Sequence, residues 1–387
     1  MLVEPKVRGF MCATAHPIGC EESVKRQINY IKERGSAKGP KRVLIIGAST
    51  GYGLASRIAA TYTYGAATLG IMFEKNATDK RTATPGFYNT RAFEEAAKKD
   101  GYYAKSINGD AFSLAIKEEA IACIKEDLEQ VDMVIYSLAA PKRTDENGVT
   151  YSSVLKTIGE PFTDKSLDLR NNEITEATIQ PATKEEEEAT VKVMGGEDWF
   201  LWIKALNEAG VLAKDAITIA YSYLGAELTY PIYNGGTIGK AKEHLYQTSI
   251  QLTELYKESG LRAYVSMNKA LVTQASAAIP IVPLYISILY KVMKDKNLHE
   301  GCIEQMDRLF RTRLTAEELE LDELGRIRLD DYELRDDVQQ LVNEYWSKVT
   351  TQNVHEYTDI DGYWEDFYHM FGFKYENIDY TQDVEIE

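Results

Sequence analysis

From residue 42 the chain alternates short β-branched or aliphatic runs with longer stretches in which apolar positions recur every three or four residues. That alternation is the pattern of βαβ units, which build a parallel sheet. The apolar runs fall at 43–46, 68–73, 103–107, 133–136, 216–220 and 263–267, and most are apolar at nearly every position, as strands buried on both faces must be. The regularity lapses from residue 142 to about 195, where turn residues, threonine- and serine-rich pieces and a run of four glutamates, Glu185 to Glu188, take over. This stretch reads as an insertion at a strand–helix boundary, and the glutamates as a solvated helix face. Residues 23–31 form an amphipathic pattern expected to pack on the body. An apolar segment at 271–290 is followed by an acidic tail expected to form a mainly helical cap over 300–387. The expected fold is a single large α/β domain over 1–387: a Rossmann-like doubly wound parallel sheet with the 142–195 insertion and a helical C-terminal cap.

Composition narrows the function classes. The chain has 387 residues, 44% hydrophobic, enough for a large core, and a formal net charge of -16, which argues against nucleic-acid binding because phosphates demand excess Lys and Arg. The cysteines, Cys12, Cys20, Cys123 and Cys302, form no CxxC pair and the five histidines show no ligand spacing, so neither a metal site nor a disulfide framework is expected. The first ten residues lack the apolar core of a secretory signal, and residues 275–289 are short and broken by Pro280 and Pro283. A cytoplasmic protein that does not span a membrane is expected.

The run at 43–46 leads directly into Gly47-Ala48-Ser49-Thr50-Gly51-Tyr52-Gly53, and helical periodicity starts at Leu54. Strand, glycine turn and helix in this order make a dinucleotide site: Gly47 permits the tight turn, Gly51 lets the backbone approach a pyrophosphate, and Gly53 lets helix and strand pack closely. The spacing GxxxGxG is that of short-chain dehydrogenases and reductases. Glu74, just past the second run, can hydrogen-bond the adenosine ribose and would repel a 2′-phosphate, which favours NADH over NADPH, with Lys75 and Lys80 close by. Asp110 and Ala111 follow the third run, and Ser137, Leu138, Ala139 and Ala140 the fourth. In a doubly wound sheet those strand ends border the ligand crevice, so Asp110 can meet adenine and Ala139 and Ala140 can pack closely.

Residues 217–242 read as strand, loop and a helix beginning near Thr237, crowded with tyrosines and two lysines. A tyrosine hydroxyl can donate to a substrate oxygen on which charge develops, while a nearby lysine lowers the tyrosine pKa and binds the nicotinamide ribose. Eight residues separate Tyr233 from Lys242 and six separate it from Lys240, whereas ketone-reducing short-chain enzymes place three between Tyr and Lys. Two residues apart on a helix, Lys240 and Lys242 point to different faces, so only one can reach the cofactor. Ser222 and Tyr223 face opposite sides of the fifth strand's end; Ser222 toward the nicotinamide would suggest a ketoreductase, and Tyr223 an enoyl reductase. Tyrosine is abundant, 25 residues, and Tyr221 and Tyr230 read as packing. His244 reads as a surface or hydrogen-bonded helical histidine, and the Gly195-Gly196-Glu197-Asp198-Trp199 block as a turn and helix start. Residues 275–289 fit either an acyl-chain wall or plain core.

The segments GASTGYG, FEK, NGDAF, YSLAAP, VMGGEDW, AYSYLGAELTYPIYNGGTIGKAKEHL, NKALVTQASAAIP and HEGCIEQ together resemble the trans-2-enoyl-CoA reductase and FabV-type enoyl-acyl-carrier-protein reductase family, over nearly the whole chain and in the same order. The resemblance implies NADH-dependent reduction of the 2,3 double bond of a trans-2-enoyl thioester carried by coenzyme A or acyl-carrier protein, in fatty-acid synthesis or fermentative acyl-CoA reduction, by a monomer. It implies Tyr233 as proton donor, Tyr223 as substrate contact and Lys242 as NADH ligand. It further implies cofactor contacts from Gly47, Ala48, Ser49, Thr50, Gly51, Tyr52, Phe73, Glu74, Asp110, Ala111, Leu138, Ala139, Leu271, Val272 and Thr273. It prefers Lys242 over Lys240 and Tyr223 over Ser222; the 142–195 insertion, from its place at a strand–helix boundary, is expected on the active-site side. The rival readings are a 3-oxoacyl or other carbonyl reductase on the same fold and a non-catalytic dinucleotide-sensing protein.

Overall fold

The computed structural model describes residues 1–274, 276–316 and 318–387. Its main sheet contains β1 (Arg42–Ile46), β2 (Ala67–Met72), β3 (Ala104–Asn108), β4 (Val131–Tyr136), β5 (Leu212–Ser222) and β6 (Arg262–Met267), with a two-residue β7 (Ile327–Arg328) at one edge. All neighbours pair in parallel, in the order β7-β6-β5-β4-β1-β2-β3. The chain therefore winds outward in both directions from β1 and β4, and a crevice opens beyond their carboxyl ends.

The continuous apolar runs follow from helices on both faces. In β1, Leu44 and Ile46 join Ile124, Trp202 and Leu252 on one face, while Val43 and Ile45 join Val24, Ile31, Ile58 and Phe93 on the other. The helices on the second face are α1 (Pro17–Glu33), which contains the amphipathic 23–31 pattern, α2 (Gly51–Tyr64) and α3 (Pro85–Lys99). The first face is covered by α4 (Leu114–Asp127) and by the helices at Glu197–Glu208 and Thr237–Leu255. Each such side chain contributes roughly 1.5–3 kcal/mol by leaving water. β5 runs longer than the apolar 216–220 core because it continues through an irregularity between Leu212 and Ile217, where Asp215 takes a positive φ of 58°. The polar pair Lys214 and Asp215 hides that extension from an apolar pattern.

Between β4 and β5 stand two antiparallel hairpins, Lys142–Thr144 with Thr150–Ser152 and Phe162–Asp168 with Glu173–Ile179, then α5 (Lys184–Met194) and α6 (Glu197–Glu208). The glutamate run begins α5, where Thr183 and Glu186 form a reciprocal cap. The stretch docks on the turn before α7 (Thr237–Leu255): Ile158 N–H donates to Gly235 O, and Thr237 N–H donates to Lys156 O, both at 2.9 Å.

A second core lies off the sheet. α8 (Val282–Asp295) is buried from Val282 to Tyr290 and packs with α9 (Asp336–Lys348), α10 (Ile360–His369) and the second hairpin, through Tyr285, Ile288, Val338, Val342, Phe367 and Leu167. The apolar 275–289 segment is thus chiefly core, with Ala275 outside the described residues. Among the described residues no helix is long and apolar enough to cross a membrane.

Candidate active site

The turn after β1 is built by close approach. Gly47 has φ +84°, and a Cβ there would stand 2.4 Å from Ser137 O; a Cβ on Gly53 would stand 1.8 Å from Gly47 O. Only glycine fits either place. Gly51, by contrast, faces open space at the start of α2, where the free N–H groups of the helix end point. Ser49 Oγ donates to Glu74 Oε1 at 2.6 Å, and the Glu74 backbone exchanges hydrogen bonds with Asn108 at 2.8 and 3.0 Å. Ala48 and Ser49 are buried and Thr50 is half-buried; Phe73 stands 77% exposed beside Glu74. Asp110 Oδ1 accepts from Phe112 N–H at 3.0 Å, Ser137 and Leu138 close the end of β4 against Gly47, and Ala139 beyond them is exposed. An open helix N-terminus flanked by a fixed carboxylate fits a dinucleotide: pyrophosphate on the amides, ribose on Glu74.

The other side comes from the ends of β5 and β6. Tyr233 closes a single helical turn, Tyr230–Tyr233, and is 5% exposed. Its ring stands edge-on to Tyr223, with centroids 4.7 Å apart at 82°. Burial, with the charge of Glu333 added, pushes the Tyr233 hydroxyl above the ordinary tyrosine range. Lys242, on the face of α7 turned to β5, donates to Ser222 Oγ at 3.2 Å, and burial lowers its ammonium to about 8. Lys240 is exposed and pairs with Glu243 at 3.5 Å. Geometry thus separates the two lysines that spacing left open. Ser222 and Tyr223 divide as strand alternation requires, Ser222 toward Lys242 and the Tyr223 hydroxyl toward Glu333 Oε1 at 2.8 Å.

The loop after β6 joins the two sides. Tyr52, from the glycine turn, donates to Lys269 O at 2.8 Å, and Val272 N–H donates to the Tyr290 hydroxyl at 3.1 Å. Leu271 and Val272 are buried and Thr273 half-buried, its backbone N–H bonded to Ser276. Tyr221 is a packing residue, edge-on to Tyr52 and bonded to Ser56 at 2.5 Å. Tyr230 is not: it is 39% exposed, because the 230–233 turn points it outward when Ile232 and Tyr233 turn in. His244 Nδ1 accepts from Gly196 N–H at 3.0 Å, a hydrogen-bonded helical histidine.

Two buried carboxylates went unrecognised in the sequence. Asp198, in the Gly195–Trp199 block, receives Lys117 Nζ at 2.7 Å and the Tyr136 hydroxyl at 3.1 Å; the same Lys117 Nζ donates to Ala111 O and Phe112 O at 2.9 and 3.0 Å. This pair holds the loop after β3 in place from beneath. The other carboxylate, Glu333, has no apolar periodicity or motif to mark it within the acidic tail. Asp198 did carry a signal, an acid four residues before Trp202 and so on the same helix face as a side chain that packs inward.

Three family models match the chain: "NAD(P)H binding domain of trans-2-enoyl-CoA reductase" over residues 2–79, "Trans-2-enoyl-CoA reductase catalytic region" over 81–315 and "Enoyl reductase FAD binding domain" over 321–384. The enoyl-[acyl-carrier-protein] reductase [NADH] of Flavobacterium johnsoniae is 55% identical, over 99% of this chain and 98% of its own. The trans-2-enoyl-CoA reductase [NADH] of Ruminiclostridium cellulolyticum is 53% identical, over 100% and 98%. The crystal structure of the Clostridium acetobutulicum trans-2-enoyl-CoA reductase in complex with NADH superposes with a TM-score of 0.97 at 45% identity, covering 100% of this chain and 98% of that one. Residues 321–384 do not fit a flavin. No strand–glycine turn–helix unit occurs among the described residues there, and Trp346, Tyr363, Phe367, Phe371 and Phe373 pack into the core instead of offering a ring face to a ligand. Full-length identity, the matched catalytic region and the shared fold agree: the chain belongs to the trans-2-enoyl-CoA reductase and FabV-type enoyl-acyl-carrier-protein reductase family.

Proposed function

We propose that this protein is an NADH-dependent enoyl reductase that saturates the 2,3 double bond of trans-2-enoyl thioesters. The supporting observation is the buried Tyr233, edge-on to Tyr223 at the carboxyl end of the sheet, with Lys242 alone of the two lysines turned inward. NADH, when bound, supplies the hydride that reaches C3. Negative charge then develops on the thioester oxygen, and a hydroxyl donating to that oxygen lowers the barrier. Tyr233 is the donor: burial keeps its proton on until that charge appears, the proton then passes to the enolate oxygen, and tautomerisation of the resulting enol moves it to C2, with the tyrosinate regaining its proton from solvent after product leaves. Lys242 holds the nicotinamide ribose, with Ser222 orienting its ammonium. Glu74 holds the adenosine ribose, already aimed by Ser49. The Tyr223 hydroxyl is engaged by Glu333, so this side chain meets substrate with its ring.

Relatives of nearly equal identity carry names on both carriers, acyl-carrier protein in Flavobacterium and coenzyme A in Ruminiclostridium. The net charge of -16 opposes an acidic carrier protein and the phosphates of coenzyme A alike, so kinetics decide between the carriers. A cytoplasmic monomer completes the proposal, and light scattering tests its oligomeric state. The deciding experiment is steady-state kinetics on crotonyl-CoA, a longer enoyl-CoA and the matching acyl-carrier-protein thioester, each with NADH and NADPH, and with acetoacetyl-CoA as control. Oxidation of NADH with enoyl but not 3-oxoacyl thioesters is expected. Turnover confined to acetoacetyl-CoA would overturn the reading, and faster turnover with NADPH would overturn the role given to Glu74.

A further inference from the structure

Glu333 is fully buried in the turn before α9, and its carboxylate is filled by three donors. Oε1 accepts from the Tyr223 hydroxyl at 2.8 Å and from the Tyr285 hydroxyl at 2.7 Å, and Oε2 accepts from Ala270 N–H at 2.7 Å. Gln339 holds the assembly from behind, donating to Glu333 O at 2.7 Å and to the Tyr285 hydroxyl at 3.3 Å. Burying a carboxylate is costly even when it is satisfied, and two phenylalanines with a leucine could fill the same space without that cost. The charge is therefore expected to do something that an apolar wall would not.

Its consequence is found at Tyr233. Among the described residues no group hydrogen-bonds the Tyr233 hydroxyl, so the attitude of that ring is set by packing, and the edge-on Tyr223 ring is its aromatic neighbour. Tyr223 is in turn fixed by the bond from its hydroxyl to Glu333. An aromatic edge-to-face contact has a preferred geometry, and a side chain pinned at its far end transmits that geometry. Ala270 N–H, bound by the other oxygen, precedes Leu271 on the loop that meets the glycine turn through Tyr52.

We propose that Glu333 is a positioning residue for the reduction: by pinning Tyr223 it holds the Tyr233 ring at the attitude from which its hydroxyl reaches the substrate oxygen. This rests on Tyr233 being the proton donor. The acyl-thioester proton transfer needs its donor placed to a fraction of an ångström, and misplacement lowers turnover more than binding.

The test is kinetics on E333Q, Y223F, the double variant and Y233F, with NADH affinity read by fluorescence titration. A carboxamide cannot accept on both sides, so E333Q loses the charge and at least one bond. Its kcat is expected to fall roughly tenfold, at unchanged enoyl KM and NADH affinity. In the Y223F background the same substitution should have little further effect, since neighbours acting through one contact are non-additive. Wild-type kcat in E333Q, or an equal loss in both backgrounds, would overturn the proposal. Should E333Q not fold, Y223F decides: a loss in kcat at unchanged enoyl KM supports the positioning role, and a loss confined to KM overturns it. Y233F separates the two ideas, because full turnover in that variant overturns the choice of acid, whereas a dead Y233F beside an unimpaired E333Q overturns only the role of Glu333.

Discussion

The nucleotide side of the site is made at the ends of adjacent strands, and the substrate side from pieces that meet only once the tail folds back. On the first, Gly47, Glu74, Asp110 and Leu138 sit at the ends of four neighbouring strands, each close after an apolar run, and their contacts are mostly backbone. On the second, Tyr223, Tyr233, Ala270 and Glu333 come from four segments, and the bond that fixes Tyr223 spans 110 residues. The first is dictated by steric room at a turn, where only glycine fits, and the second by partners that a buried polar group must find. This contrast predicts that damage to one side should leave the other measurable.

The largest effect is expected for Y233F. Removing a general acid lowers kcat by about 10²–10⁴-fold, and fluorescence titration should find NADH affinity unchanged; an equal loss of affinity would break the separation of the two sides. Next comes K117M, which strands the buried Asp198 carboxylate and costs about 3–5 kcal/mol of stability in urea unfolding. Because Ala111 O and Phe112 O also lose their donor, the KM for NADH should rise while kcat stays. A fall in kcat at unchanged KM would show the loop belongs to the substrate side.

pH gives the third. Lys242 is lowered to about 8 by burial, so it sheds its charge as pH rises through that value. The kcat/KM for NADH should be flat below this point and decline above it by about tenfold per unit. K242R, whose charge does not titrate, should abolish the decline. Lys269, also lowered to about 8, is the competing source, and persistence of the decline in K242R would assign it there. The smallest effect is expected for E74Q, which removes the repulsion of a 2′-phosphate and should narrow the NADH over NADPH preference roughly fivefold, on the order of 1 kcal/mol.

The same contrast governs what the sequence discloses. Six strands, the glycine turn and the start of α7 at Thr237 are legible because each is written in local periodicity or steric need. The hairpin at 142–152 goes unread: Asn147-Gly148 between extended pieces carries a turn signal, but the polar setting masks the strands on either side. β7 is too short to leave a pattern. The choice of Lys242 over Lys240 needed the resemblance or the structure, since both lie on one helix and only the contact with Ser222 separates them. Glu333 could not be singled out at all: in a tail rich in Asp and Glu, where Asp330 is buried too, only the three donors brought from distant segments distinguish it.

The long span between Tyr223 and Glu333 also sets an order in time. A ribosome delivers residues 42–136, and with them four adjacent strands, well before residue 333 leaves the exit tunnel, and nascent chains fold from the N-terminal side as they emerge. Through that interval the nucleotide turn can close around its glycines while Tyr223 still lacks the acceptor for its hydroxyl. Catalytic competence is then a late event in the biosynthesis of this chain, gained with the tail and not with the sheet.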